Sequence, residues 1–246
     1  MNSISANLNV MIKASEKASK AIIRDFGEIE KLQVSIKGPS DYVSNADKKA
    51  EKIIITELEK AKKNFSILSE ENGSKINNDK NNVWIVDPID GTSNFLHGIP
   101  HFAISIALKS NNEIVSGVIY DPIKDEMFYA EKNNGSYLNN KSIRVSKRKN
   151  LSESLFATGG NENLNNSLTT RRSGSAALDM AYVAAGRFDG YFQKNLNLWD
   201  VAAGIIIAKE AGAYVNEIDI NRKDKIKVIA SNNSVSEKLL KNLSNF

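Results

Sequence analysis

The N-terminal part of the chain alternates apolar and polar positions with helical spacing. Residues 4–26 repeat an apolar side chain every three or four positions, which predicts one long amphipathic helix. After a break at Lys37 and Gly38, a second periodic stretch predicts a helix that begins near residues 44–47 and continues to Ala61. Asp47 falls in or near its first turn, where the helix dipole favours an acidic side chain.

The next segments are short apolar runs, which are typical of strands. Residues 65–68 predict a strand that ends at Glu70 and Glu71. Residues 83–86 predict a buried strand that Pro88 stops, because proline interrupts strand pairing. Asp87 lies at the end of this second strand, so both predicted strands end in acidic residues.

The rest of the chain predicts an antiparallel meander followed by a return to helix. Turn residues separate the β-rich segments, and no repeat or low-complexity linker divides the sequence. The predicted elements are strands at 102–108, 114–120 and 126–130, a helix at 176–185, a strand at 188–192, and helices at 198–211 and 235–243.

Composition narrows the class of protein. The 246 residues, 41% of them hydrophobic and 25% charged, are enough for a full core, so we expect a single domain over residues 1–246. No apolar run reaches the length of a membrane span, so we expect no membrane segment. The absence of cysteine excludes disulfides and a cysteine nucleophile, and it fits a reducing, cytoplasmic location.

The chain carries a small positive charge. Its 33 basic and 29 acidic residues give a net charge of +4, and the basic residues are scattered except at residues 141–149. Such a charge either attracts anionic partners such as nucleic acid or reflects a surface rich in lysine and asparagine. The second interpretation is the simpler one.

Residues 84–95 form the most informative motif. Asp87 and Asp90 lie three positions apart at the end of a predicted strand, and Gly91 follows at once. Magnesium prefers oxygen ligands, which two carboxylates on a proline-stiffened turn supply from one rigid edge. A helix that begins at Thr92 would also present unsatisfied backbone N–H groups to a phosphate.

Further acidic residues occupy similar positions. Glu70 and Glu71 end a strand, and Asp200 opens a long apolar helix within residues 199–205. Taken singly, each acid is typical of a solvated turn or a helix cap. Together they predict ligands gathered from scattered positions of the chain into one site.

Other chemistries find little support in the sequence. It contains no phosphate-binding P-loop, no Gly-x-Ser-x-Gly elbow and no Gly-x-Gly-x-x-Gly fingerprint. The only histidines, His97 and His101, lack a zinc signature. They are either neighbours of the acidic site or packed side chains, and the second interpretation is favoured.

These motifs resemble those of the inositol monophosphatase family, the lithium-sensitive, magnesium-dependent sugar phosphatases. The resemblance covers nearly the whole chain and depends on residues 87–95 and 199–204, supported by residues 69–71 and 46–47. It implies an α/β fold, namely an α+β layered sandwich of alternating helix and sheet layers like that of fructose-1,6-bisphosphatase. The order of predicted elements agrees with this fold.

The resemblance also implies a site for two to three Mg²⁺ ions. Glu70, Asp87 and the carbonyl group of Ile89 would hold a first ion. Asp87, Asp90 and Asp200 would hold a second, and Glu70 is also the candidate ligand of a weaker third.

The catalytic residues implied by the resemblance are Asp47, Glu70 and Thr92. Thr92, paired with Asp47, would orient and deprotonate the attacking water, so no phosphoenzyme is required. The implied substrate-binding residues are Glu70, Ile89, Asp90, Gly91, Thr92, Arg171, Gly174, Ser175, Ala176, Gln193 and Asp200. Arg171 is equally interpreted as a structural ion-pair partner.

Two features depart from the family pattern. Many relatives have a glutamate that binds an inositol hydroxyl where this chain has Gln193, which keeps hydrogen bonding but loses the charge. Residues 160–171 are also fewer than in typical relatives, in a region that often pairs two subunits. The resemblance therefore leaves a homodimer as an open prediction.

The leading functional hypothesis is hydrolysis of a small polyol phosphate, with myo-inositol 1-phosphate as the best single candidate. Family relatives also act on fructose 1,6-bisphosphate, histidinol phosphate or adenosine 3',5'-bisphosphate. A hypothesis of another class is a binding partner of the transcription antitermination or ribosome-assembly machinery, which the positive charge permits.

Overall fold

The computed structural model describes residues 4–28, 34–38, 41–160, 168–221 and 224–243 of the chain. In these ranges the chain forms six α-helices and a short 3-10 helix at Leu151–Glu153. The α-helices are α1 (Ala6–Phe26), α2 (Asn45–Ala61), α3 (Thr92–Leu96), α4 (Ala176–Ala184), α5 (Leu198–Glu210) and α6 (Ser236–Asn242).

The described strands form three sheets. A two-stranded sheet pairs β1 (Val34–Gly38) with β2 (Asp41–Ser44). The large sheet has the order β10-β9-β8-β7-β6-β5-β3-β4 and the small sheet the order β12-β11-β13-β15-β14. Their strands are β3 (Phe65–Ser69), β4 (Gly73–Lys75), β5 (Asp79–Asp90), β6 (Ala103–Ser110), β7 (Glu113–Asp121), β8 (Glu126–Glu131), β9 (Gly135–Leu138), β10 (Lys141–Ser142), β11 (Leu155–Ala157), β12 (Thr169–Arg171), β13 (Gly190–Leu196), β14 (Tyr214–Val215) and β15 (Ile226–Ser231).

The hydrophobic contacts arrange these elements in alternating layers. Helices α1 and α2 pack on one face of the large sheet, where α1 buries an apolar stripe that includes Met11 and Ile22. Helices α4 and α5 lie between the opposite face of the large sheet and the small sheet. Helix α6 covers the outer face of the small sheet through Leu239 and its C-cap residue Leu243. This arrangement confirms the predicted layered sandwich.

Helix α5 forms the centre of the sandwich because it is apolar on both sides. Its residues Ala203 and Ile207 contact the large sheet, and Val201 and Ile205 contact the small one. Each large side chain fully buried in this way contributes about 1.5–3 kcal/mol. The same helix carries Asp200 in its first turn, so its packing also places that acid.

Most predicted elements are confirmed within one or two residues. One prediction was wrong: Pro88 does not stop its strand, because β5 continues to Asp90. The antiparallel register with β6 shifts between Asp87 and Asp90, and Pro88 lies in that irregular stretch, where no ladder N–H is required.

The strand predicted at 188–192 also differs from the observed one. It begins later, as β13 (Gly190–Leu196). Phe188 belongs instead to the turn after α4, where its N–H bonds to the carbonyl oxygen of Tyr182. Within residues 160–171, residues 161–167 lie outside the described residues, and the strand Thr169–Arg171 pairs in parallel with β11. In the described parts of the chain, no helix combines the length and apolarity needed to cross a bilayer.

Candidate active site

Two neighbouring parallel strands bring Glu70 and Asp87 together. The register of β3 and β5 pairs Ser69 with Val86, so the next residue of each strand reaches the same edge of the sheet. The N–H of Glu70 donates to the carbonyl oxygen of Val86 at 3.2 Å. The predicted convergence of these two strand ends is therefore present.

The end of β5 buries two carboxylates. Asp87 is 2% exposed and Asp90 is 8% exposed. An oxygen of Asp87 accepts a hydrogen bond from the N–H of Ile89 at 3.1 Å. Asp90 accepts one from the N–H of Ala177 at 2.8 Å and a short one from the hydroxyl of Ser175, which ties β5 to the N-terminus of α4.

Helix α5 places Asp200 at the same edge. Its carboxylate accepts from the N–H of Asn197 at 2.7 Å and so caps the helix. The preceding residue, Trp199, accepts a hydrogen bond of 3.4 Å from the hydroxyl of Ser105. Ser105 is paired with Asp87 across β5 and β6, so this contact fixes the start of α5 beside the end of β5.

Asp47 completes the group from α2, where it is 1% exposed. The charges of the other acids act on Asp87. Burial raises the pKa of Asp87 well above its ordinary value, and four neighbouring carboxylates raise it further. We call the five acids the carboxylate cluster: Asp47, Glu70, Asp87, Asp90 and Asp200.

The second buried acid shows the same effect. Burial raises the pKa of Asp90 to about 7, although the hydroxyl of Ser175 opposes that change, and the charge of Asp200 adds to it. Repulsion of this kind is relieved when a cation lies among the carboxylates. The carboxylate groups offer only oxygen atoms as metal ligands, which suits a hard cation such as Mg²⁺.

The cluster is not a finished coordination sphere. Among the residues that the structure describes, no three acidic or histidine side chains stand at the spacing of a preformed metal centre. Oxygen atoms of Asp90 and Asp200 instead accept hydrogen bonds from Ser175, Ala177 and Asn197. The described side chains therefore supply a donor set that fits a metal, rather than an assembled metal site.

Thr92 begins α3, two residues after Asp90. Its hydroxyl donates to the carbonyl oxygen of Ile89 at 2.9 Å, so the two predicted site residues contact one another. The pairing of Thr92 with Asp47 stays a prediction. Gly91, just before α3, has φ +99, and an added Cβ would lie 3.1 Å from the carbonyl oxygen of His101. Only glycine fits this conformation without strain.

The segment Ser173 to Ala176 lies against the cluster through the hydrogen bond of Ser175 to Asp90. The Asn94 side-chain amide donates to the carbonyl oxygens of His101 and Ser173, at 2.7 and 2.8 Å. Gly174 has φ +88, and an added Cβ would lie 2.8 Å from that amide. Asn94 therefore joins the helix after the acidic motif to the segment that carries Ser175.

Two further predicted substrate-binding residues, Arg171 and Gln193, differ in exposure. Arg171 is exposed and donates to the carbonyl oxygen of Thr170 at 3.1 Å. Gln193 is half-buried and accepts a hydrogen bond of 2.8 Å from the hydroxyl of Tyr191. Burial raises the pKa of Tyr191, and the charges of Asp179, Asp90 and Asp200 raise it further.

The two histidines take different positions. The Nδ1 of His97 lies 2.8 Å from the carbonyl oxygen of Ser93, and its ring is exposed. His101 packs edge-on against Tyr182 with ring centroids 6.0 Å apart, and burial lowers its pKa. The favoured interpretation as a packed side chain is therefore confirmed for His101 and wrong for His97, which is exposed.

Three residues near the site were missed by the sequence reasoning. Asn94 joins two segments, Asp179 accepts a hydrogen bond of 2.5 Å from the hydroxyl of Ser173, and Glu51 is fully buried on α2. A signal for Glu51 was present, since an acid four residues after Asp47 falls on the apolar face of its helix. Asn94 and Asp179 gave no such signal, because their partners are backbone and side-chain groups distant in sequence.

Fold and site together define a layered α/β protein with a buried carboxylate centre at the ends of its strands. Residues 5–245 match the model of the inositol monophosphatase family. The chain is 46% identical to an inositol-1-monophosphatase of Mesorhizobium japonicum, with 96% of each chain covered. It is also 42% identical to a protein named Nus factor SuhB of Xylella fastidiosa, over 85% of this chain and 80% of that one.

A solved structure agrees with these sequence matches. The extragenic suppressor protein suhB from Bartonella henselae superimposes with a TM-score of 0.91 and 48% identity, over 97% of this chain and 98% of that one. The chain therefore belongs to the inositol monophosphatase family, and it is a phosphatase by that membership.

Proposed function

We propose that this protein is a magnesium-dependent phosphomonoesterase that hydrolyses a small polyol phosphate, with myo-inositol 1-phosphate as the best candidate. The main support is that Asp87 is buried and that the charges of four other carboxylates raise its pKa. Such a group of acids is costly to a fold unless cations or protons neutralise it. The name of the Mesorhizobium relative supports the choice of substrate.

The proposed ligands follow from the oxygen atoms that the fold gathers. Glu70, Asp87 and the Ile89 carbonyl would hold a first Mg²⁺, and Asp87, Asp90 and Asp200 a second. Glu70 is also the proposed ligand of a third, weaker ion. When bound, such ions lower the pKa of the attacking water and neutralise the leaving alkoxide.

The protein's own groups would handle the water and the phosphate. Thr92 and Asp47 are the proposed pair that orients the water and accepts its proton. The hydroxyl of Thr92 is already fixed on the carbonyl oxygen of Ile89, which supports an orienting role. The backbone N–H groups of Gly91 and Thr92 would receive the phosphate oxygens at the start of α3, and Glu70 and Ile89 would border it.

The sugar side of the substrate would lie against a rim from three segments. Asp90 and Asp200 are proposed to touch its hydroxyls, and Ser175 is proposed as the residue that joins this rim to Asp90, with which it shares a hydrogen bond. The remaining proposed rim residues are Arg171, Gly174, Ala176 and Gln193. The neutral amide of Gln193 keeps fructose 1,6-bisphosphate, histidinol phosphate and adenosine 3',5'-bisphosphate as alternative substrates.

A substrate panel tests this proposal. Phosphate release is measured from inositol 1-phosphate and the three alternatives, with Mg²⁺ and with EDTA. We expect turnover of one compound that requires Mg²⁺ and is blocked by Li⁺. No release from any compound by a folded protein would contradict the proposal.

A second candidate function is a contact with the transcription antitermination or ribosome-assembly machinery in the cytoplasm. The similarity to a protein named Nus factor SuhB favours it. Binding of RNA would weaken steeply as salt increases, whereas turnover would follow Mg²⁺. A homodimer is proposed on the family resemblance alone, and light scattering of the purified chain tests it.

A further inference from the structure

Glu51 is a buried carboxylate that the proposed mechanism does not use. It lies on α2, one helical turn after Asp47, and has no exposed surface. Among the described residues, no lysine or arginine forms an ion pair with it. A buried charge is costly unless hydrogen bonds satisfy it.

Four hydrogen bonds satisfy this carboxylate, and all come from one short segment. Its Oε1 accepts from the hydroxyl of Ser69 at 2.9 Å, from the N–H of Asn72 at 3.1 Å and from the Asn72 side-chain amide at 2.5 Å. Its Oε2 accepts from the N–H of Glu71 at 2.8 Å. These donors lie immediately before and after Glu70.

The contacts therefore fix the backbone of Glu70 from both sides. The N–H of Glu70 itself donates to Val86 on β5, next to Asp87. Glu51 thus clamps the turn after β3 to the helix that also carries Asp47. Asp47, Glu70 and Asp87 keep their relative positions because α2 and the adjacent ends of β3 and β5 hold them.

We propose that Glu51 is a positioning residue, which fixes Glu70 so that this side chain and Asp87 reach one cation together. The inference rests on the proposed function, since it assigns Glu70 to a metal. A purely structural clamp would alter the stability and exchange of this turn but would leave Mg²⁺ affinity unchanged. The exposed ion pair of Glu59 and Lys75 already joins α2 to β4.

Two substitutions and one control test the proposal. Glu51→Ala removes all four acceptors. Glu51→Gln keeps the volume and leaves Oε1 in place, but its amide nitrogen meets the N–H of Glu71, so one bond is lost. Glu59→Gln is the matched control, because it removes an exposed ion pair between α2 and the hairpin that β3 and β4 form.

The first measurement does not depend on activity. Hydrogen exchange of the Glu71 and Asn72 amides is compared by NMR in the metal-free proteins, together with Mg²⁺ binding by calorimetry. We expect both amides to exchange faster in Glu51→Ala than in the parent, while α4 and α5 stay protected. Mg²⁺ affinity should fall about tenfold or more, the size of effect seen when groups that orient metal ligands are removed. The exchange rates and Mg²⁺ affinity of Glu51→Gln should lie between those of the parent and Glu51→Ala. Those of Glu59→Gln should match the parent.

Kinetics then separate positioning from substrate binding. We expect a higher Mg²⁺ requirement and a lower kcat, with KM for the phosphate ester nearly unchanged. Unaltered Mg²⁺ affinity and unaltered exchange in a folded Glu51→Gln and Glu51→Ala would overturn the proposal. If Glu51→Ala does not fold, Glu51→Gln decides alone. A parent protein that neither binds Mg²⁺ nor releases phosphate would instead contradict the proposed function, whatever the exchange rates.

Discussion

At the scale of single residues, the site concentrates charge where the fold excludes water. Asp87 is 2% exposed and lies among four other acids, so its ionised form is unfavourable in the absence of a cation. The repulsion among these acids lowers the stability of the cation-free protein and favours the binding of cations. The conflict between stability and function is testable at this residue.

Asp87→Asn should make the metal-free protein more stable and the enzyme inactive. The amide keeps the shape of the side chain but removes the repelled charge, so we expect the free energy of unfolding in EDTA at pH 8 to increase by about 1 kcal/mol or more. Urea unfolding measures it. Mg²⁺ should no longer stabilise this variant to the extent seen in the parent.

Asp79→Asn is the matched control on the same strand. The pKa of Asp79 is lowered, chiefly by a hydrogen bond from Asn82, so its ionised form is favourable. Replacing it should not stabilise the protein. An Asp87→Asn variant that is less stable than the parent in EDTA would contradict the electrostatic argument.

At the scale of elements, the site depends on how closely α5 lies on the large sheet. Gly117 of β7 makes that approach possible, because an added Cβ would lie 2.8 Å from the carbonyl oxygen of Ala203. The contact is to backbone, which has no rotamer with which to move away. Any shift of α5 also moves Asp200, which opens this helix.

Gly117→Ala should therefore destabilise the protein by about 1–3 kcal/mol, the usual cost of overpacking a core. It should also weaken Mg²⁺ binding through the displaced Asp200. Thermal unfolding and calorimetry measure the two effects. Gly27→Ala is the control, since its Cβ would be no nearer than 3.5 Å to another atom. Equal stability of the two variants would show that α5 tolerates the shift.

Helical periodicity predicted α1 and α2, because each buries one face, and short apolar runs predicted the meander strands, which are buried on both faces. The strand end predicted at Pro88 was wrong, because proline stops a strand only if a ladder N–H is required at that position. The acids of the site were predicted from motifs and family resemblance. Asn94 and Asp179 could not be assigned roles from sequence, because each acts through backbone or hydroxyl groups that only the fold brings near. For Glu51 the helical spacing indicated a buried acid but not its partners.

At the scale of the whole molecule, the buried acids link stability to pH. The pKa of Asp90 rises from 3.8 to about 7 in the folded protein, and that of Asp87 also rises. The folded state then holds these protons more tightly than the unfolded state. Their stabilising contribution is complete below the unfolded pKa and is lost as the pH rises through the folded pKa.

In EDTA we therefore expect the free energy of unfolding to fall as the pH rises from 3.8 to about 7. Asp87→Asn should reduce that fall. Mg²⁺ should restore stability most strongly at the upper end, because its ligands must be deprotonated to bind it. Urea unfolding at several pH values, with Mg²⁺ and with EDTA, measures this. A metal-free stability that increases steadily over the range would contradict the assignment.

The central claim is that the carboxylate cluster is the metal-dependent centre of a phosphatase. Its most direct test is the initial rate of phosphate release from myo-inositol 1-phosphate as Mg²⁺ is varied, in the parent, Asp90→Asn and Asp79→Asn. We predict saturable dependence on Mg²⁺ in the parent and the Asp79 variant, and a rate at least about a hundredfold lower in Asp90→Asn, since even groups behind a metal ligand cost up to that factor. A folded Asp90→Asn protein with the rate and Mg²⁺ dependence of the parent would contradict it.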